Sequence, residues 1–241
     1  MRDCAVFETL EREKEALFQL ARDIWAHPET AYNEVRACED MARVLTRYGF
    51  IVERGCFGVK TALRASFGAG KPVIGMIGEM DALPGLSQAA EPEKRPLTEG
   101  GPGHGCGHNL ISAAAIGAAV ALKEEMVREK LPGTIVFYAC PAEEVVTGKV
   151  YMAREGAFRE LDAALKWHGD RANRVSLGRN NGLYNAVFYF RGKAAHAASD
   201  AYHGRSALDA VELMNVGANY MREHVENDVR IHYAYQNAGP A

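Results

Sequence analysis

Pro72-Val73-Ile74-Gly75-Met76-Ile77-Gly78 runs directly into Glu79-Met80-Asp81-Ala82-Leu83-Pro84. The first seven residues are a short, continuous apolar run, the pattern of a strand covered on both faces. Such strands belong to sheets flanked by helices, and this one delivers two carboxylates where it ends. Downstream, Thr134-Ile135-Val136-Phe137-Tyr138-Ala139 repeats the pattern and ends in Cys140-Pro141-Ala142-Glu143-Glu144. A further strand is expected near Ala163-Ala164-Leu165-Lys166-Trp167, ending at His168. A helix opening near His108 and running to about Glu129, and another through Tyr151-Met152-Ala153-Arg154, separate these strands. Strands alternating with helices predict an α/β domain with a largely parallel sheet.

Upstream, Phe7, Leu10, Leu17, Leu20, Ala21, Ile24 and Trp25 recur at a helical period that ends before Pro28. A second helix is expected from about Glu34 to Tyr48, stopped by Gly49. The segments 50–52 and 61–65 read as strands around the turn from Gly55 to Gly58, and Ser87 to Pro102 as a surface loop. From about Leu183 the pattern changes. Tyr184 to Phe190 alternates as a strand, Gly204 to His224 is an amphipathic helix, and Val229 to Tyr235 reads as a further strand. The division expected is therefore 1–182 and 183–241, the second part being the start of a smaller α+β domain.

Composition narrows the class. The 241 residues are 48% hydrophobic and 24% charged, which is ordinary for a globular protein. A net charge of −3 without a Lys/Arg-rich run gives no footprint for nucleic acid. The five cysteines are odd in number and scattered, unlike a disulfide framework. The charged N-terminal stretch lacks a signal-type apolar core, and no apolar run reaches membrane-spanning length. The expectation is a reduced, soluble, cytoplasmic protein.

In parallel sheets, sites gather beyond the carboxyl ends of the strands. Asp81, Glu143, Glu144 and His168 all fall there. Gly103-His104-Gly105-Cys106-Gly107-His108-Asn109 opens a helix on the same edge, presenting a thiol and an imidazole two residues apart on a glycine-rich turn. Singly, each feature has an ordinary alternative. Glu143-Glu144 suits any helix start, and His168 could be a plain strand-end histidine. Their coincidence on one edge favours a site. Cys106, His108, His168 and one of the paired glutamates offer S, N, N and O donors, a set suited to Zn²⁺ and tolerable for other transition metals. The other glutamate would then be placed to take a proton from a metal-activated water.

These motifs, with Gly192-Lys193-Ala194-Ala195-His196-Ala197 and Gly204-Arg205-Ser206-Ala207-Leu208-Asp209-Ala210, occur in the order seen in one family. The chain resembles the aminoacylase/carboxypeptidase family of dinuclear metallopeptidases, in its amidohydrolase branch. The resemblance implies cleavage of the amide bond of N-acyl or aroyl amino acids such as p-aminobenzoyl-glutamate, with two divalent metal ions, Zn or Mn. It implies Cys106, His108, Glu144 and His168 as metal ligands and Glu143 as general base. It also implies a homodimer built by the smaller domain, in which His196 reaches towards the partner's site and polarises the scissile carbonyl. Relatives outside this branch carry a histidine ligand where Glu79 stands. Glu79 is therefore not expected to be a ligand, and Asp81 is expected to support the ligands from behind. His104 is given no role; its ordinary reading is a flexible glycine-flanked residue near the site.

One departure from the family pattern matters. Relatives return to the catalytic domain and supply a last histidine ligand from near their C-terminus, which nothing up to Ala241 replaces. The expectation is that the 241-residue chain alone is weakly active or inactive. Two competing readings stand beside the amidohydrolase: a truncated, non-catalytic metal-binding or dimerisation remnant, and a cysteine hydrolase using Cys106 with His108.

Overall fold

The computed structural model describes residues 3–175 and 180–239. The chain divides into two compact units, Met1–Asn173 and Arg174–Ala241. The first holds a five-stranded sheet in the order β1-β2-β4-β3-β5, formed by β1 (Ile51–Arg54), β2 (Leu63–Ala69), β3 (Val73–Glu79), β4 (Gly133–Cys140) and β5 (Ala163–Leu165). β3 pairs in parallel with both β4 and β5. β2 runs antiparallel to β1 and to β4, so it alone opposes the common direction. The sheet is thus largely parallel, as the apolar runs imply.

The central strand β4 shows why these runs are continuous. Ile135, Phe137 and Ala139 enter one core while Val136, Tyr138 and Cys140 enter the other, the two faces of a period-2 element. Helices α2 (Val35–Arg47) and α3 (His108–Glu129) pack on the first face, and α1 (Asp3–Ala26) packs on both of them. Leu20 and Ile24 of α1, Met41 and Leu45 of α2 and Ile116 of α3 meet Phe137 in this core. The short helix α4 (Gly148–Arg154) puts Met152 into the second core beside Val59 and Tyr138. Close approach of α3 to β3 depends on Gly78. A Cβ there would lie 2.6 Å from the Ser112 hydroxyl and 2.9 Å from the Phe137 ring. Ser112 donates to the carbonyl of Glu79 instead. The carboxyl ends of β3, β4 and β5 therefore open on one edge, with the first turn of α3 beside them.

In the second unit, α5 (Ala207–Met221) is capped by Ser206, whose hydroxyl accepts from the Asp209 N–H at 3.0 Å. It is shorter than the 204–224 stretch expected. The two strands read at 184–190 and 229–235 are not found; both segments run without a ladder partner among the described residues. An alternating pattern makes a strand only where a neighbour accepts its backbone groups. Residues 231–235 are held instead by side chains of α5 and its C-cap: Asn215 donates to the Tyr235 hydroxyl at 2.8 Å and Arg222 to the Ile231 carbonyl at 2.9 Å.

Candidate metal centre

His108 is the first residue of α3 and is completely buried. The helix starts abruptly because Gly107 takes φ +82°, where a side chain would be strained. The ring's Nδ1 lies 2.8 Å from the carbonyl oxygen of Asp81 and 3.3 Å from its Oδ1. Both are acceptors, so Nδ1 keeps its proton and in the neutral ring Nε2 presents the lone pair. Burial pushes the ring's pKa down, but Asp81, Glu79 and Glu144 outweigh it and hold it above the usual imidazole range. That nitrogen has no hydrogen-bond partner among the described residues. Around it stand Glu79 Oε2 at 3.5 Å, Glu143 Oε2 at 3.6 Å and Glu144 Oε1 at 3.7 Å. Glu79 Oε2 and Glu144 Oε1 are themselves buried and unpartnered among the described residues. Buried polar atoms left unsatisfied by protein would be costly in a finished core; this arrangement fits a cation between them.

Asp81 organises two elements at once. Beyond its contact with His108, its carboxylate accepts from the backbone N–H of Glu143 at 3.0 Å and of Glu144 at 2.9 Å. Burial pushes its carboxyl up, but His108 and the two N–H groups outweigh burial and hold it below the usual carboxylate range. Asp81 stands behind the cluster, as expected of it.

Cys106 Sγ lies 3.2 Å from His168 Nε2, just past the end of β5. Burial and then the charges of Glu144, Glu143 and Glu79 push the Cys106 thiol up to about 11. Ligand atoms of Cys106, His108 and His168 all lie within 4.8 Å of one another, as do those of Glu79, His108 and Glu143. The donors are sulfur, nitrogen and oxygen, a set that divalent transition metals accept. The six side chains read from the sequence for this edge, Asp81, Cys106, His108, Glu143, Glu144 and His168, therefore lie together. His196 belongs to the second unit, where it is exposed and its Nδ1 accepts from the Ala198 N–H at 3.2 Å.

Three features lay outside the sequence reading. Glu79 is fully buried, with Oε1 held by Lys149 and, at 2.6 Å, by Lys166. Burial raises its pKa, yet the two ammonium groups win and keep it ionised. Glu34 sits behind Ala142, a contact with no local motif to announce it. At His104 both ring nitrogens are buried without a hydrogen-bond partner among the described residues, and burial pushes its pKa down to about 4.

Residues 75–230 match the profile of peptidase family M20/M25/M40. The chain belongs to this family. It is 44% identical over 233 residues to one of the subunits of p-aminobenzoyl-glutamate hydrolase from Escherichia coli K12, covering 96% of this chain and 48% of that protein. It is similar in structure to a dinuclear metal-binding M20 peptidase of Bacillus subtilis, with a TM-score of 0.58 and 28% identity over 66% of this chain and 44% of the other. A structure from methicillin-resistant Staphylococcus aureus shares the fold over 95% of this chain and 59% of the other, with a TM-score of 0.65 and 21% identity. The chain spans about half the length of the curated M20 relatives it matches. No helix among the described residues is long and apolar enough to cross a membrane.

Proposed function

We propose that the protein is a metal-dependent amidohydrolase acting on N-acyl or aroyl amino acids, p-aminobenzoyl-glutamate being the substrate to try first. The observation that carries this reading is the bare, buried His108 Nε2 ringed by three carboxylates. Cys106, His108, Glu144 and His168 would hold two divalent ions, Zn²⁺ or Mn²⁺, which supply Lewis-acid polarisation and acidify a water.

Exposure separates the two glutamates. The Glu144 side chain is 18% exposed and Glu143 33%, so Glu144 suits a ligand and Glu143 a base that a water can reach. Glu143 takes the proton as the water oxygen bonds to the amide carbon, and returns it to the amine as the C–N bond breaks. Asp81 fixes His108's tautomer and the Glu143-Glu144 backbone throughout. His196 accepts at Nδ1, so its neutral ring carries the proton at Nε2 and can donate it to the developing oxyanion. We assign that role to His196 of a second copy, with residues 183–241 as the start of the smaller, dimer-forming domain. The Escherichia coli relative is named as a subunit, which supports a protein partner; light scattering should give twice the 26.3 kDa of one chain.

The 3.2 Å Cys106–His168 contact would also suit a cysteine nucleophile. Burial, and then the acidic surroundings, keep the thiol protonated and speak against it. The test is metal content and hydrolysis of p-aminobenzoyl-glutamate with added Zn²⁺ or Mn²⁺, for wild type and Glu143→Ala. Bound metal in both, with turnover reduced at least ~10²-fold in the variant, is expected. Equal turnover in both, or turnover unaffected by chelation, overturns the proposal.

A further inference from the structure

The turn carrying Glu143 and Glu144 is strained and held from two sides. Ala142 takes φ +54° and Val146 φ +58°, left-handed conformations that are strained for a residue with a Cβ. Such a turn persists only if its surroundings dictate it. Asp81 binds the N–H groups of Glu143 and Glu144. The N–H just before these, that of Ala142, is bound at 2.8 Å by Oε1 of Glu34, 108 residues earlier in the chain.

Glu34 occupies the N-cap position of α2, yet its side chain makes no capping bond. It is completely buried and turned towards the metal centre's supporting loop. Its second oxygen accepts from the buried Thr61 hydroxyl at 2.9 Å, which fixes the carboxylate's direction. Nearby, Tyr32 also has a positive φ, +66°, and its hydroxyl lies 2.6 Å from Thr147 Oγ1 at the far end of the same turn. A buried carboxylate is a costly way to anchor a loop. Its position is explained if the turn's geometry is what it secures.

We propose that Glu34 is a positioning residue: by holding the Ala142 N–H it keeps the strained turn in place and aims Glu143 and Glu144 at His108 Nε2. The inference rests on the roles given above to those two glutamates. It makes opposite demands on two substitutions. Glu34→Gln keeps the reach: its amide oxygen accepts from Ala142 while its NH₂ donates to Thr61, whose hydroxyl reverses. Glu34→Asp keeps the charge but withdraws it from Ala142 by one methylene.

The experiment is Zn²⁺ affinity of the full chain by calorimetric titration, with kcat and KM for p-aminobenzoyl-glutamate alongside. Glu34→Asp is expected to weaken Zn²⁺ binding at least ~10-fold and to lower kcat by about 10²-fold at little change in KM. Glu34→Gln is expected to stay within about threefold of wild type, well short of the Glu34→Asp loss. Wild-type Zn²⁺ affinity in folded Glu34→Asp, or the larger loss in Glu34→Gln, overturns the proposal. Because Glu34→Gln is isosteric, a loss there is decisive even if Glu34→Asp does not fold. If wild type binds Zn²⁺ but hydrolyses nothing, the hydrolase reading falls, and the Zn²⁺ comparison still decides the role of Glu34.

Discussion

At His108, one ring nitrogen serves orientation so that the other is free to bind. Nδ1 donates to Asp81, and Nε2 is left bare among carboxylates. Asp81 has about four acceptor sites and uses them on three donors from two elements. Asparagine there would keep one carbonyl oxygen and place an NH₂ opposite a backbone N–H. Asp81→Asn should therefore lower Zn²⁺ affinity by roughly 10–100-fold while leaving far-UV circular dichroism unchanged; unaltered affinity would mean the turn needs no second anchor. How much of this was legible in sequence differs residue by residue. Cys106 and His108 are ambiguous on their glycine turn alone, and read as a site only because Asp81, Glu143, Glu144 and His168 fall on the same sheet edge. Glu79 reads as a mere departure from a histidine pattern, and only the structure reveals its two lysines. Glu34 carries no signal, since its partner is a backbone N–H 108 residues away and no spacing rule reaches that far.

The elements of the first unit were legible because each obeys a single period. Gly49 at φ +80° ends α2 where expected, and β3 and β4 fall on their apolar runs, whereas β5 forms where a strand was expected but is exposed along its length. The segments at 184–190 and 229–235 show why a period is insufficient: alternation states which face is apolar, not whether a neighbour exists. Contacts between elements add energies that no single-element pattern contains. Tyr48, at the C-cap of α2, donates to Glu13 Oε2 of α1 at 2.7 Å. That bond, followed by Arg12, depresses the Glu13 pKa. A depressed carboxylate stabilises the fold above its unfolded pKa of about 4.3 and loses that contribution as pH falls through the folded value. Tyr48→Phe should thus cost about 1 kcal/mol at pH 7 and much less at an acid pH below the depressed folded-state value, once Glu13 has taken up its proton in both proteins. Chemical denaturation at the two pH values measures the difference; an equal loss at both would assign the effect to packing.

For the whole molecule, the sheet edge that gathers the metal centre also concentrates electrostatic repulsion. Glu79, Asp81, Glu143 and Glu144 converge on one imidazole, and among the described residues only Glu79 has lysine partners there. Like charges at such distances oppose folding, and the ends of β3 and β4, with the 142–144 turn, carry them into contact. A divalent ion bound at the cluster would remove that repulsion only in the folded state, because the donors come from segments spread from residue 79 to residue 168. Ligand held in excess stabilises a fold by RT ln(1 + [L]/Kd), about 2.7 kcal/mol at one hundred times Kd. For a domain of this size each kcal/mol moves Tm by roughly 2–4 °C. Adding Zn²⁺ at that excess should therefore raise Tm by roughly 5–10 °C over chelator-treated protein. The rise should be largely absent in His108→Ala, which deletes the nitrogen on which the cluster converges. An equal rise in wild type and His108→Ala would place the stabilising ion elsewhere and separate the cluster from metal binding. No rise in wild type would mean that the lysine pair and the bound backbone N–H groups already balance these charges, leaving no drive for an ion to enter.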